Sequence, residues 1–196
     1  MTLILASASA TRRALLANAG LSFEVVPAAI DERASEAPLL EANASLDDVA
    51  LALAMAKAVS VSETRSRDLV IGADLLLELD GELMTKAEGM EDARRKLLKL
   101  SGRMHLLHSA VACAQGGEIV WQHVETAQMT MRQLSPEFIG RYLAAVGEEA
   151  LMSVGCYHLE GRGAQLFEAV EGDFFSILGL PLLPLLAFLR SAGILE

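Results

Sequence analysis

The first twenty residues narrow the fold more than any other stretch of this chain. The apolar run Leu3-Ile4-Leu5-Ala6 passes through Ser7-Ala8-Ser9 into a segment of helical periodicity that stops at Gly20. Consecutive apolar residues bounded by small hydroxyl residues read as a buried strand, Leu3–Ala6. Ser9 is a good N-cap for a helix Ala10–Ala19, with Leu15, Leu16 and Ala19 as its apolar stripe. A buried strand that feeds straight into a helix is a βα unit, so the chain begins as an α/β protein. Arg12 and Arg13 fall in the first turn of that helix, where the positive end of the dipole disfavours cations. A bound anion removes the conflict, because free backbone N–H groups, serine hydroxyls and guanidinium forks together suit a phosphate. The plain alternative is a solvated helix start with surface arginines.

The remaining pattern mixes helices with paired strands. Phe23–Val26 reads as a short strand leading to Pro27 and the acidic pair Asp31-Glu32. Leu46, Val49, Ala50, Leu53, Ala56 and Val59 recur at helical spacing behind Ser45, predicting a helix from Ser45 to Ser60 that carries Lys57. Asp68–Ala73 reads as a buried strand, and Leu75–Leu79 with Glu82–Met84 flank Asp80-Gly81, a hairpin signal. Glu91–Leu100 is an amphipathic helix, followed by strands Leu106–Ala114 and Ile119–Met131 across Gly116-Gly117. Ser135-Pro136-Glu137 opens a helix to about Ala145. A glycine-punctuated stretch from Gly155 to Ala164, a strand Gln165–Val170 and a buried helix after Pro181 complete the chain. No internal repeat or flexible linker interrupts it.

Composition sets limits on partners. With 53% hydrophobic and 21% charged residues in 196, the chain is an ordered globular protein of one or two lobes. Sixteen basic against 26 acidic residues give a net charge of −10, which argues against a nucleic-acid polymer and leaves room for a small anion in a local basic pocket. Cys113 and Cys156 lack metal-ligand spacing and read as reduced thiols. His105 and His108 lie three apart on a predicted strand, so they face opposite sides and do not share a metal. Ala6-Ser7-Ala8-Ser9-Ala10 lacks the charged and apolar segments of a signal peptide, which predicts a cytoplasmic protein. The apolar tail from Ile177 to Leu189, broken by Pro181 and Pro184, is too short for a membrane span of ~20 residues.

Asp74 follows the buried run Leu69-Val70-Ile71-Gly72-Ala73, and a carboxylate at a strand's carboxyl end is well placed to orient water or hold Mg²⁺. Gly72 and Ala73 would let a ligand approach the backbone there. An Asp that merely caps a turn is the alternative. Glu32, Lys57 and Lys86 complete a set of carboxylates and cations, each of which on its own reads equally as a solvated surface charge.

These segments together resemble the Maf-like nucleotide pyrophosphatases, the septum-formation-inhibitor Maf family, from Leu3 to about Leu189. The resemblance rests on Leu5-Ala6-Ser7-Ala8-Ser9 with Arg12-Arg13-Ala14-Leu15-Leu16, Asp31-Glu32, Ala56-Lys57-Ala58, Ile71-Gly72-Ala73-Asp74 and Leu79-Asp80-Gly81-Glu82. It continues through Leu100-Ser101-Gly102-Arg103, the stretch from Tyr157 to Ala164, Gly172-Asp173 and Gly179-Leu180-Pro181-Leu182. It implies one Maf-like domain over residues 1–196, a mixed twisted sheet with flanking helices and two lobes around a deep cleft, similar to inosine-triphosphate pyrophosphatases. It further implies hydrolysis of nucleoside triphosphates to monophosphate and pyrophosphate with a divalent metal, Mg²⁺ or Mn²⁺. By the same resemblance Asp74 is the proton acceptor, and Ser7, Arg12, Glu32, Lys57 and Lys86 are polar residues of the cleft. Glu32 and Asp74 are the candidate metal carboxylates. The expected partner is a nucleotide, not a membrane or a polymer, and a homodimer stays open.

The chain departs from the family pattern in places. Ser9-Ala10-Thr11-Arg12 stands where many members have Ser-Pro-Arg-Arg, which makes Arg13 a candidate substitute for the missing arginine. Thr85-Lys86-Ala87 replaces Gly-Lys-Pro, and Ser153 stands where a lysine is common. Glu160 takes the position of a glutamine found in members that cleave thymidine and uridine triphosphates, as in the branch that cleaves 7-methyl-GTP. Three readings therefore stand: a pyrophosphatase of non-standard or surplus nucleotides, a 7-methyl-GTP pyrophosphatase, and a non-catalytic nucleotide-binding regulator of cell division. A phosphomonoesterase would be told apart by release of orthophosphate.

Overall fold

The alternation of the first strand decides how the sheet is built. The structure, a computed structural model, describes residues 1–196. Strand β1 (Leu3–Leu5) lies between β2 (Glu24–Val25) and β3 (Leu69–Leu79), parallel to both, with Leu3, Ile4 and Leu5 opposite Leu69, Val70 and Ile71. Leu3, Leu5, Leu69, Ile71 and Ala73 point into one apolar cluster with Leu15 and Leu16 of α1 (Ala10–Asn18) and Leu182, Leu185 and Leu189 of α7 (Leu182–Ser191). Ile4, Ala6 and Val70 point the other way, against Val61 of α3 (Leu46–Ser62). A parallel sheet covered on both faces needs this continuous apolar sequence.

The whole sheet has seven strands in the order β2-β1-β3-β5-β6-β7, with β4 (Glu82–Met84) antiparallel on the later part of β3. Strands β5 (Met104–Gln115) and β6 (Glu118–Met131) follow α4 (Met90–Leu100), and β7 (Phe167–Glu171) pairs antiparallel with the end of β6. The fold is therefore a mixed α/β sheet, as the sequence implied. No helix is long and apolar enough to cross a membrane.

The chain divides into two compact units, each drawn from separated segments. Unit 1 comprises 1–75, 108–125 and 173–196, and unit 2 comprises 76–107 and 126–172. In unit 2, Ala93, Leu97 and Leu100 of α4 and Ile139, Tyr142 and Leu143 of α5 (Pro136–Val146) are buried.

Some local expectations need correction. The strand segments Asp68–Ala73 and Leu75–Leu79 are one strand, β3, so Asp74 lies inside a strand and does not end one. Asp80-Gly81 makes the hairpin turn, both at positive φ (53° and 84°). Residues 32–41, to which the sequence pattern assigns no element, form a helix α2 (Glu32–Glu41) capped by Asp31, with no buried residue and with Pro38 inside it. The strand expected at Gln165–Val170 starts only at Phe167, because Arg162–Leu166 is a 3₁₀ turn. The buried helix expected after Pro181 is α7, and a short helix α6 (Phe174–Ile177) precedes it. Cys113 and Cys156 are buried and free, as expected.

Candidate active site

Strand β1 ends at Leu5, opposite Ile71, and the Ala6 N–H closes on the Ile71 carbonyl at 2.8 Å before the chain turns away. Strand β3 runs on without that neighbour until β4 joins it at Leu77. Asp74 falls in this gap. The termination of a parallel strand, usually where a ligand site opens, thus occurs on β1 while the carboxylate sits on the strand beside it.

The loop Ser7–Ser9 is held by its own hydroxyls. The Ser9 N–H donates to Ser7 Oγ at 3.2 Å, and Ser9 Oγ caps α1 by accepting the Arg12 N–H at 3.3 Å. Arg12 turns back over this loop: Nη1 donates to Ser7 Oγ at 3.3 Å and Nε to the Gly179 carbonyl at 2.7 Å. Burial pushes the guanidinium below its ordinary value, and Asp74 and Glu32 act in the opposite direction. A group that starts so high stays charged, and three of its five N–H donors remain for an anion. Arg13, next to it, is exposed, and its side chain makes no hydrogen bond or ion pair.

Lys57 lies on α3 only 8% exposed, and Asp74 on β3 only 6% exposed. Their charges meet directly, Nζ to Oδ1 at 2.5 Å, and the same ammonium reaches Glu32 Oε1 at 2.8 Å. A buried ammonium without such partners would cost several kcal/mol, roughly 3–5 when one partner is removed. Gly72 explains how helix and strand come so close. A Cβ there would lie 2.1 Å from the Ala54 carbonyl oxygen and 2.6 Å from the Ala58 nitrogen. Ala54, Lys57 and Ala58 share one face of α3, while Gly72 and Asp74 share one face of β3. The missing side chain lets the two backbones touch, and that contact sets Lys57 against Asp74. Gly72 therefore faces a helix, and the expectation that it admits a ligand to the backbone is corrected. Ala73 points into the opposite core.

Helix α2 brings in the second carboxylate. Asp31 accepts the Ala34 N–H at 3.0 Å, which starts the helix at Glu32. One turn on, Glu36 lies on the same face, and its carboxyl is pushed up by partial burial and by the charges of Asp74 and Glu32, against a smaller opposing effect of Arg33. Glu36 was missed from sequence. Its signal, an acid four residues after Glu32, has meaning only once α2 is known to be a helix. No three His, Cys, Asp or Glu side chains are grouped so as to hold a metal ion.

The expected residues of unit 1 thus gather as one constellation: Ser7 with Arg12, and Lys57 between Glu32 and Asp74. Lys86 and Glu160 belong to unit 2. Lys86 is exposed after β4 and makes no ion pair. Glu160 is exposed in a turn, its Oε1 3.8 Å from His158 Nδ1. Glu160 makes no ion pair with Arg162, which lines a cavity of about 190 Å³ with Tyr142, Glu149 and His158. His105 and His108 have separate partners, Tyr157 at 2.7 Å and Asp47 at 2.7 Å, as their strand spacing implied.

The family model described as "Maf-like protein" matches residues 2–192. The chain belongs to the Maf-like protein family. Among its relatives, the Mesorhizobium japonicum "7-methyl-GTP pyrophosphatase" is 57% identical over 194 residues, covering 99% of this chain and 98% of the relative. The protein of that name from Rhizobium meliloti is also 57% identical, with the same coverage. A "Nucleoside triphosphate pyrophosphatase" of Granulibacter bethesdensis is 50% identical over 190 residues, covering 97% of this chain and 96% of that one. These Maf-like proteins are similar along almost their entire length, so the similarity takes in both units.

Proposed function

We propose that this Maf-like protein hydrolyses a nucleoside triphosphate to the monophosphate and pyrophosphate. The observation that carries the reading is the pairing of a buried carboxylate, Asp74, with the ammonium of Lys57, beside an arginine-bearing helix start that suits a phosphate. The names of the relatives support the same activity. In the reaction a water oxygen bonds to the α-phosphorus as the bond from that phosphorus to the bridging oxygen breaks, and pyrophosphate leaves. Asp74 accepts the proton of the attacking water. Arg12 and Lys57 counter the charge that grows on the phosphate oxygens, and the Ser7 hydroxyl and the free N–H groups of α1 orient them. Lys86 enters as a further phosphate cation from the resemblance alone.

A divalent cation fits the donor set. Glu32 and Asp74 are oxygen ligands, each with one carboxylate oxygen beyond its Lys57 contact, and Mg²⁺ arriving with a nucleotide needs only one or two carboxylates. Bound there, it would supply charge neutralisation and a Lewis acid for the phosphates.

For the base, 7-methyl-GTP is the favoured substrate. Relatives at 57% identity carry that name, and Glu160, exposed and without a bond to Arg162, is free to accept from the N1–H and N2–H₂ edge of guanine. The test is chromatography of the products from a nucleotide panel, with Mg²⁺ or Mn²⁺ present. Many turnovers yielding monophosphate and pyrophosphate are expected. Diphosphate with orthophosphate as the first products would overturn the reaction, and a single turnover at most would favour a nucleotide-binding regulator.

A further inference from the structure

Arg12 reaches its strongest contact across 167 positions of the chain, at the Gly179 carbonyl. We infer that the turn Asp173–Gly179 is a positioning element for Arg12, and that Ser176 with Glu125 forms the clasp that fixes it. The inference rests on Arg12 as a phosphate ligand.

An arginine has several rotatable bonds, and a helix dipole that repels it would turn it outward. Two acceptors prevent this, Ser7 Oγ at Nη1 and the Gly179 carbonyl at Nε. The Gly179 carbonyl is aimed by its own backbone. Gly179 has φ +95°, and an added Cβ would lie 3.4 Å from Leu75 Cδ2 and 3.5 Å from Arg12 Nη2. Its N–H donates to the Ser176 carbonyl at 2.9 Å, and Leu180 N–H to that of Phe175 at 3.1 Å, so the end of α6 is closed.

The start of the turn is held just as firmly. Asp173 Oδ2 accepts the Ser176 N–H at 2.8 Å. The Ser176 side chain, 1% exposed, is 2.5 Å from Glu125 Oε2 on β6 and 3.0 Å from Asp173 Oδ2. A hydroxyl has one proton, and at these distances it goes to Glu125, leaving Asp173 to the backbone. The other Glu125 oxygen takes His123 Nε2 at 3.1 Å. A four-residue helix has no stability of its own, so this buried contact ties the turn, and through it Arg12, to the sheet.

The experiment uses the full chain with Ser176→Ala, Ser176→Thr and Gly179→Ala, each also combined with Arg12→Ala. Ser176→Ala should raise KM about tenfold with a smaller effect on kcat, the loss expected when a charge-assisted contact slackens. Ser176→Thr, which restores the hydroxyl, should recover most of it. In the Arg12→Ala background neither Ser176→Ala nor Gly179→Ala should raise KM further; equal rises in both backgrounds would overturn the inference. The Arg12 Nε–H resonance, followed by nitrogen-15 NMR, gives a readout independent of phosphate. It should exchange slowly in the wild type and fast in Ser176→Ala, and an unchanged resonance would also overturn the clasp. Should Ser176→Ala fail to fold, Gly179→Ala carries both measurements. An unchanged KM in Arg12→Ala alone would refute the phosphate reading, while the resonance still decides the clasp.

Discussion

Gly72→Ala tests whether backbone contact between α3 and β3 is what assembles the site. The new methyl would sit 2.1 Å from the Ala54 carbonyl oxygen and 2.6 Å from the Ala58 nitrogen, and both are backbone atoms that no rotamer change can move. Ordinary contact begins at 3.4 Å, so the helix must retreat from the strand by about 1.3 Å. Overpacking of this kind costs about 1–3 kcal/mol, and with only backbone to yield the upper figure applies. For a chain of this size ~3 kcal/mol lowers Tm by roughly 6–12 °C. The same retreat would stretch the 2.5 Å contact of Lys57 and Asp74 to about 3.8 Å, beyond hydrogen-bonding range. A misplacement of ~1 Å in a catalytic group costs up to ~10²-fold in rate. Thermal melts and kcat/KM should therefore fall together. Gly140→Ala is the control: it lies in α5, its new Cβ meets only Arg94 Nη1 at 3.8 Å, and better helix propensity should stabilise it by about 1 kcal/mol. A Gly72→Ala protein as stable and as active as the wild type would refute the packing argument.

Asp74→Asn should keep the fold at a stability cost of up to about 3–5 kcal/mol, since it leaves buried Lys57 with Glu32 as its one carboxylate, and lower kcat by ~10²–10⁴; a fall under about tenfold in a steady-state assay would assign the base elsewhere. Glu160→Gln should lower the ratio of 7-methyl-GTP and GTP turnover to UTP and dTTP turnover, and an unchanged ratio would mean that Glu160 does not read the base. Burial pushes His105 from its ordinary value of 6.5 down to about 4, so the unfolded chain binds the proton first as pH falls. Its contribution is intact above pH 6.5 and lost on acidification toward pH 4. Urea melts of wild type and His105→Gln should accordingly differ by about 2 kcal/mol less at pH 5 than at pH 7.

What the sequence discloses depends on how local each cause is. Helices α1, α3 and α5 were legible because Ser9, Ser45 and Ser135 cap them within three residues. Helix α2 was not, because it buries no residue and contains Pro38, so neither periodicity nor propensity marks it; with α2 hidden, Glu36 was hidden too. Asp74 has the look of a strand terminator, and only the pairing of Leu77 with Met84 reveals that β3 continues. The glycine of Ile71-Gly72-Ala73-Asp74 could be seen, but not its purpose, since Ala54 and Ala58 meet it only in three dimensions. The tie from Arg12 to Gly179 likewise has no local signal.

The division of unit 1 among three stretches of chain has a consequence for its birth on the ribosome. Arg12 emerges early, but its carbonyl partner is polymerised 167 residues later. At ~5–20 residues per second that delay is roughly 8–33 s. Throughout it, the apolar face of β1 and α1 waits for Leu182, Leu185 and Leu189, which are polymerised later still. A nascent chain of this protein is thus a sticky, unfinished half-sheet that nearby chaperones can hold, and any message truncated before codon 179 yields a polypeptide whose anion cradle never closes.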